Sequence, residues 1–248
     1  MSFAGFTRSS SAHVKTMRIV LVGNGRMGQS IAALAPTRGH SIHAILGSSE
    51  NLAASGLTKD RLAGADIALE FTRPEAAPQN IEKLMDLGLP TVTGTTGWEA
   101  ALPRISTLVD ASGGALLHAA NFSVGVHLFL RAAENMAKLF RGRSEFSDSI
   151  TEEHHVTKRD TPSGTALLLQ RRLSVSDPER EFPITSVREG SSVGTHRVAF
   201  LALHEELTLS HVARDRHAFA AGALMAAEWL VGKTGIFTFD DVLFGGDA

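Results

Sequence analysis

Met17-Arg-Ile-Val-Leu-Val-Gly-Asn-Gly-Arg-Met-Gly28 is the stretch that decides how this chain folds. Its first half, Met17 to Gly23, is a short β-branched run that stops at a glycine, the pattern of a strand buried on both faces of a parallel sheet. Gly23-Asn24-Gly25-Arg26-Met27-Gly28 then opens a helical run to about Arg38, and Ser41 to Leu46 reads as a second strand. Strand, glycine turn, helix and strand make a βαβ unit of about 30 residues.

The alternation continues outward from that unit. Asp66 to Phe71, Pro90 to Thr93 and Ala115 to Ala119 read as strands; Glu75 to Leu87 and Trp98 to Val109 read as helices. Repeated β-then-α units predict a doubly wound parallel sheet of Rossmann type. Gly47 to Gly64 is a loose connection with a short helix at most. After Asn121 the pattern changes. A long amphipathic helix over Ser123 to Phe140 is followed by a strand over Phe146 to His155 and a helix from Ser163 to Leu173. Ser174 to Pro183 reads as a surface loop, and Thr185 to Arg188, Thr195 to Leu203 and Leu207 to Val212 as strands. Strands with few helices predict a central α+β domain with an open mixed sheet. An Ala-rich helix over His217 to Val231 and a short aromatic tail, Ile236 to Phe244, return the chain to the first domain. The expected division is 1–16 as a disordered extension, 17–121 with 215–248 as the dinucleotide-binding domain, and 122–214 as the domain for substrate and oligomerisation.

Composition removes several classes of function. With 248 residues, 43% hydrophobic and 20% charged, the chain has the make-up of an ordinary globular protein. A formal net charge of −2 and the lack of a basic tract argue against a nucleic-acid partner. Zero cysteines exclude disulfides, thiolate-bound zinc and a catalytic thiol, and suit a reducing cytosol. No apolar run approaches the roughly 20 residues that span a bilayer, so no membrane role is expected. The Ser-rich N-terminus lacks the apolar core of a secretory signal.

A glycine pattern of the form Gly23-x-Gly25-x-x-Gly28, placed between strand and helix, is the context a dinucleotide pyrophosphate requires. The glycines let the backbone approach the phosphates, and the helix N-terminus faces their charge. Arg26 reads either as a phosphate partner or as a solvated surface cation. Phe71, Gly94-Thr95-Thr96 and Ala119-Ala120-Asn121-Phe122 lie at later strand ends, where open α/β sheets bind ligands. Asn121 could orient a carboxamide or cap the next helix. The second strand ends Ile45-Leu46-Gly47-Ser48-Ser49, without an acid or an arginine, so the choice between NADH and NADPH stays open.

Glu152-Glu-His-His-Val-Thr-Lys-Arg-Asp-Thr-Pro-Ser-Gly-Thr-Ala166 gathers acid–base groups ahead of a helix start. His154 and His155 are adjacent on a strand end, so they point to opposite faces. With no third ligand at a recognisable spacing, a metal site is not expected. One histidine is read as acid or base, and the other as a donor to substrate. Lys158 is a candidate proton donor, with Asp160 positioning it or capping the turn. Ser163, Gly164 and Thr165 offer N–H and hydroxyl groups to a carboxylate, or form a plain capped helix start.

These motifs together resemble the dihydrodipicolinate reductase family. The resemblance runs from Met17 onward through Gly23–Gly28, Phe-Thr-Arg-Pro (71–74), Gly-Thr-Thr-Gly (94–97), Ala-Asn-Phe-Ser-Val-Gly (120–125) and Phe-Ala-Ala-Gly-Ala-Leu (219–224). Its most specific part is the stretch 153–166. It implies reduction of 4-hydroxy-tetrahydrodipicolinate by NADH or NADPH, a small dicarboxylate substrate and a cytoplasmic homotetramer. It assigns His154 as acid/base residue, Lys158 as proton donor, and His155, Gly164 and Thr165 as substrate binders, with the glycine loop, Gly94–Thr96 and Ala119–Phe122 around the cofactor. Thr161 departs from the family's usual alanine. Two other readings of the residues stand beside it. One is a two-domain imine or amino-acid dehydrogenase of different substrate, and the other is a non-catalytic NAD(H) sensor.

Overall fold

A computed structural model describes residues 16–245. In chain order the elements are β1 (Arg18–Val22), α1 (Arg26–Leu34), β2 (Ser41–Leu46), α2 (Lys59–Leu62), β3 (Ile67–Glu70), α3 (Ala77–Asp86), β4 (Thr91–Thr93), α4 (Leu102–Ser112) and β5 (Ala115–His118). Then come α5 (Val124–Phe140), β6 (Ser147–His154), α6 (Gly164–Ser176), β7 (Ile184–Arg188), β8 (Gly194–Leu201), β9 (Glu206–Ala213), α7 (His217–Leu230), β10 (Gly235–Thr238) and α8 (Phe239–Phe244). The chain forms two units. One holds the residues up to Ala120 and Ala223–Val242; the other holds Asn121–Gly222 and the residues from Leu243 on. The division falls inside α7, whereas the sequence reading put it at Asp215. The extension expected over 1–16 lies, but for Thr16, outside the described residues.

The first unit is built on a six-stranded sheet in the order β10-β5-β4-β3-β1-β2, every pairing parallel. Ile19 to Val22 and Ile67 to Glu70 are buried without alternation, because helices cover both faces. Ile81, Leu84, Ile105 and Val109 from α3 and α4 join Val20, Val22 and Leu116 in its core. The tail read only as short and aromatic proves to be a sixth strand. β10 pairs with β5 from Gly235↔Ala115 to Thr238↔His118. Its four residues run straight into α8 at Phe239, with no turn residue to set the strand off in the sequence. The sheet also buries Glu70, whose carboxylate accepts from Thr93 Oγ1 at 2.6 Å and from the Thr72 hydroxyl.

The second unit is a four-stranded mixed sheet in the order β7-β6-β8-β9, with α5 and α6 on one face. β6 runs parallel to β7 and antiparallel to β8. Ser123 caps α5 by accepting from Val126 N–H at 3.3 Å, and Ser163 caps α6 by accepting from Ala166 N–H at 3.2 Å; each such cap is worth about 1 kcal/mol. Phe129, Leu130, Ile150, Leu169, Phe182 and Phe200 form the core under the helices. Along β9 the exposed residues predominate, so one face of this sheet is not covered by its own unit. No helix among the described residues is long and apolar enough to cross a membrane.

Candidate active site

In the first unit the glycine turn sits where the sequence put it. Gly23 has φ +109°, and a Cβ there would stand 2.2 Å from the Phe71 carbonyl oxygen. A Cβ on Gly28 would meet the Gly23 carbonyl oxygen at 2.2 Å, so α1 can lie this close to the turn only as glycine. Gly25 is the N-cap of α1 and supplies no side-chain cap, and nothing lies within 4 Å of where its Cβ would be. The first-turn N–H groups are therefore open to an anion.

A cavity of about 510 Å³ begins at this turn and is lined by Gly23, Asn24, Gly25, Gly47, Phe71 and Arg73, among others. Arg26 is exposed at the start of α1, and Met27 is half-buried. Gly94 lies under the Phe71 ring, where a Cβ would come within 2.1 Å of it, and Thr95 Oγ1 accepts from Thr72 N–H at 2.9 Å. These contacts join the β4 end to the β3 end, but of the residues in contact only Phe71 and Thr72, at the β3 end, line the cavity; Thr96 is exposed. Ala119 follows β5, its N–H donating to Thr93 at 3.2 Å, and Ala120 is exposed. Asn121 accepts from Ser123 N–H through Oδ1 at 2.8 Å, which makes it a helix-start residue, and Phe122 is buried.

The second strand end departs from expectation. The sequence shows no acid directly after β2, yet the chain folds Glu50 back so that its Oε2 accepts from Gly47 N–H at 2.7 Å. That oxygen stands 2.9 Å from where a Gly47 Cβ would be, and both Gly47 and Asn24 line the cavity. An acid does reach the strand end, delivered by a tight loop that counting residues from the strand cannot foresee.

In the second unit, alternation along β6 puts Ile150, Glu152 and His154 on its buried face. Register then decides the neighbours. Antiparallel pairing sets His196 opposite Glu152, and parallel pairing sets Ser186 opposite Glu152 and Arg188 opposite His154. Glu152 accepts from Ser163 N–H at 3.0 and 3.1 Å, Ser186 Oγ at 2.7 Å and Arg188 Nη2 at 2.8 Å. Burial would raise this carboxyl, but the bonds from Ser163, Arg188 and Ser186 prevail and hold it down to about 2. His154 donates from Nδ1 to the Val193 carbonyl at 3.2 Å, and its Nε2 faces Glu152 at 3.3 Å. Its ring lies over Gly194, where a Cβ would stand 2.9 Å from Cε1. Burial lowers the His154 pKa, with Glu152 opposing and Lys158 adding to the fall. His196 packs edge-on against His154 at 5.2 Å and is held down to about 4 by burial first and by the neighbouring His154 next.

Glu152, His154 and His196 thus form a buried trio with the donor set of a divalent-metal site, which corrects the expectation that no third ligand accompanies the histidines. Its third member comes from another strand, where sequence spacing cannot show it. The carboxylate is already taken up by an N–H, a hydroxyl and a guanidinium, so the trio fits a hydrogen-bonded acid–base cluster better than a cation cage. Sequence reading passed over Glu152, Ser186, Arg188 and His196. His196 carried a legible sign, standing in the same inward phase as the buried Val198 and Phe200.

The rest of the 152–166 segment forms the rim. His155 is half-buried on the opposite face, its Nδ1 paired with Thr157 Oγ1 at 2.7 Å. Lys158 Nζ donates to both Asp160 oxygens at 2.8 Å, and this bond lowers the Asp160 carboxyl. Ser163 is 2% exposed and spends its N–H on Glu152 and its hydroxyl on Ala166. It is thus an internal cap, a correction to its reading as a ligand donor. The N–H groups of Gly164 and Thr165, in the first turn of α6, have no intrahelical acceptor.

Comparison with known proteins finds one family along the chain. Residues 17–122 match the family described as dihydrodipicolinate reductase, N-terminus, and residues 125–243 match its C-terminus. A 4-hydroxy-tetrahydrodipicolinate reductase of Christiangramia forsetii is 34% identical over 92% of this chain and 98% of its own length. One of Bdellovibrio bacteriovorus is 33% identical over 94% and 98%. Among solved structures, dipicolinate-bound dihydrodipicolinate reductase from Paenisporosarcina sp. TG-14 superposes with a TM-score of 0.74 at 22% identity, covering 90% of this chain and 97% of that one. With both halves matched and relatives covered end to end, this chain belongs to the dihydrodipicolinate reductase family.

Proposed function

We propose that the chain reduces 4-hydroxy-tetrahydrodipicolinate to tetrahydrodipicolinate with NAD(P)H, in diaminopimelate and lysine biosynthesis. The observation that carries the reading is the 152–166 segment: a buried histidine, a cationic lysine on the rim and an open helix start follow one another within a single bend. The cofactor's part rests on the open α1 N-terminus and the cavity beside it, which fit a pyrophosphate and its adenosine end. Bound NAD(P)H supplies the hydride. The chain's own groups bind the dicarboxylate and quench the charge that reduction leaves on the ring. Gly164 and Thr165 N–H and the His155 ring hold the carboxylates. Lys158, on the rim and restrained by Asp160, delivers a proton, and His154 serves as the buried acid/base behind it.

Glu50 favours NADH of the two cofactors. A carboxylate at the β2 end can accept from a ribose 2′-hydroxyl and repels a 2′-phosphate. The resemblance also carries a homotetramer and a cytosolic setting into this reading. The deciding experiment follows loss of NAD(P)H absorbance with the product of dihydrodipicolinate synthase, run with each cofactor. Substrate-dependent oxidation is expected. Dinucleotide binding with no oxidation would make the chain a sensor.

A further inference from the structure

Glu152 has no part in the reaction just described, yet it is fully buried and touches both halves of the segment that carries it. Its Oε2 faces His154 Nε2 at 3.3 Å, and both its oxygens accept the N–H of Ser163, the residue that caps α6. Arg188 binds the same carboxylate and also the Asp160 carbonyl at 2.7 Å, which ties down the loop between the two. His196 closes the ring, with Nε2 at 3.2 Å from Ser163 Oγ and 3.9 Å from Glu152 Oε2.

A buried carboxylate is a poor source of stability, since apolar residues of similar volume do as well or better. Ile150 fills that role two residues earlier on the same face of β6, opposite Val198. What the carboxylate adds at position 152 is direction. Because Val193 O can only accept, His154 Nδ1 must carry the proton there, and neutral His154 would turn a lone pair toward Glu152. No hydrogen bond joins Nε2 to Glu152, so what the carboxylate exerts across 3.3 Å is charge, which favours the imidazolium facing it and opposes the larger lowering by burial. The same oxygens hold the start of α6, whose next N–H groups face outward for a substrate carboxylate.

We infer that Glu152, braced by His196, is the positioning residue of this reductase: one carboxylate couples the orientation of His154 to the anion-binding start of α6. The inference rests on the reductase reading above. Removing the carboxylate therefore impairs the acid and the carboxylate clamp together and leaves the dinucleotide end alone.

The test uses Glu152→Gln, Glu152→Asp and His196→Gln in the full chain. It measures kcat with the synthase product, inhibition by pyridine-2,6-dicarboxylate and the Kd of NADH. Glu152→Gln is expected to lower kcat at least tenfold and to raise the inhibition constant at least tenfold, with the NADH Kd within twofold of wild type. Glu152→Asp, which keeps the charge, recovers part of both losses. The idea is overturned if Glu152→Gln only lowers Tm while kcat and the inhibition constant stay within threefold. It is equally overturned if one constant moves and the other does not. Should Glu152→Gln fail to fold, His196→Gln carries the same requirement that both constants move. A wild-type chain that binds NADH and the dicarboxylate but turns nothing over would refute the reductase reading, and dicarboxylate binding by the variants would still decide the coupling.

Discussion

At the scale of residues, the active site depends on which atoms are already committed. Lys158 is held by Asp160 and His154 by Val193 and Glu152. His154→Gln and Lys158→Met are each expected to lower kcat by about 10²-fold or more, the usual range for a positioned acid, while NADH affinity stays near wild type. Steady-state kinetics beside fluorescence titration of NADH checks this, and near-wild-type turnover in either variant removes that residue from the role. Glu50 sits at the end of β2, its carboxylate bonded to Gly47 N–H. Glu50→Gln is expected to raise NADPH affinity relative to NADH by about tenfold, as befits removal of one repulsive charge beside a phosphate; Kd values for both dinucleotides measure it. The residues proposed to bear the chemistry could be named from the sequence because the segment 153–166 places them in one run. Their supports were not. Glu50 is brought to Gly47 by a turn, and His196 to Glu152 by strand register, and neither leaves a mark in residue spacing.

At the scale of elements, β6 carries the second unit. Its alternation sends Glu152 and His154 inward between β7 and β8, and their titration ties the sheet's stability to pH. His196 titrates near 6.5 when unfolded and at about 4 when folded, because of its burial and the adjoining His154, with Glu152 opposing and His211 and Lys158 adding to the fall. The unfolded chain therefore binds more protons between those values, so stability falls as pH drops from about 6.5 to about 4. Glu152, lowered from 4.5 to about 2, keeps its contribution above 4.5 and loses it as pH falls toward 2. Urea midpoints measured across this range should decline first in the upper window, and His196→Gln should flatten the decline there. A variant curve parallel to wild type would assign the upper window to other groups. The elements themselves were largely readable from sequence: the β-branched runs, the Ser123 and Ser163 caps and the amphipathic α5 each follow from local pattern. α6 runs to Ser176, past the expected Leu173, although Ser174-Val175-Ser176 are modest helix formers; Ser176 is buried and its carbonyl accepts from Arg141 Nη2, so tertiary contact carries the last turn. β10 was not readable, because Gly235-Ile-Phe-Thr238 runs straight into α8 with no turn residue to mark where a strand ends.

At the scale of the whole molecule, the sheet of the first unit is assembled from both ends of the chain. β1 to β5 come before the main span of the second unit, Asn121–Gly222, and β10 comes after it. On a ribosome that whole span emerges while β5 still waits as an open edge for a strand not yet made. Such an edge is a place where nascent chains pair wrongly. A chain ended at Lys233 should keep the four-stranded sheet of the second unit and lose hydrogen-exchange protection over Ala115–His118, the strand that β10 covers. Equal protection in the shortened chain would mean that β5 does not depend on its late partner. The order of synthesis thus makes a four-residue strand the latch that closes the sheet, and until it is made the edge of β5 stays open.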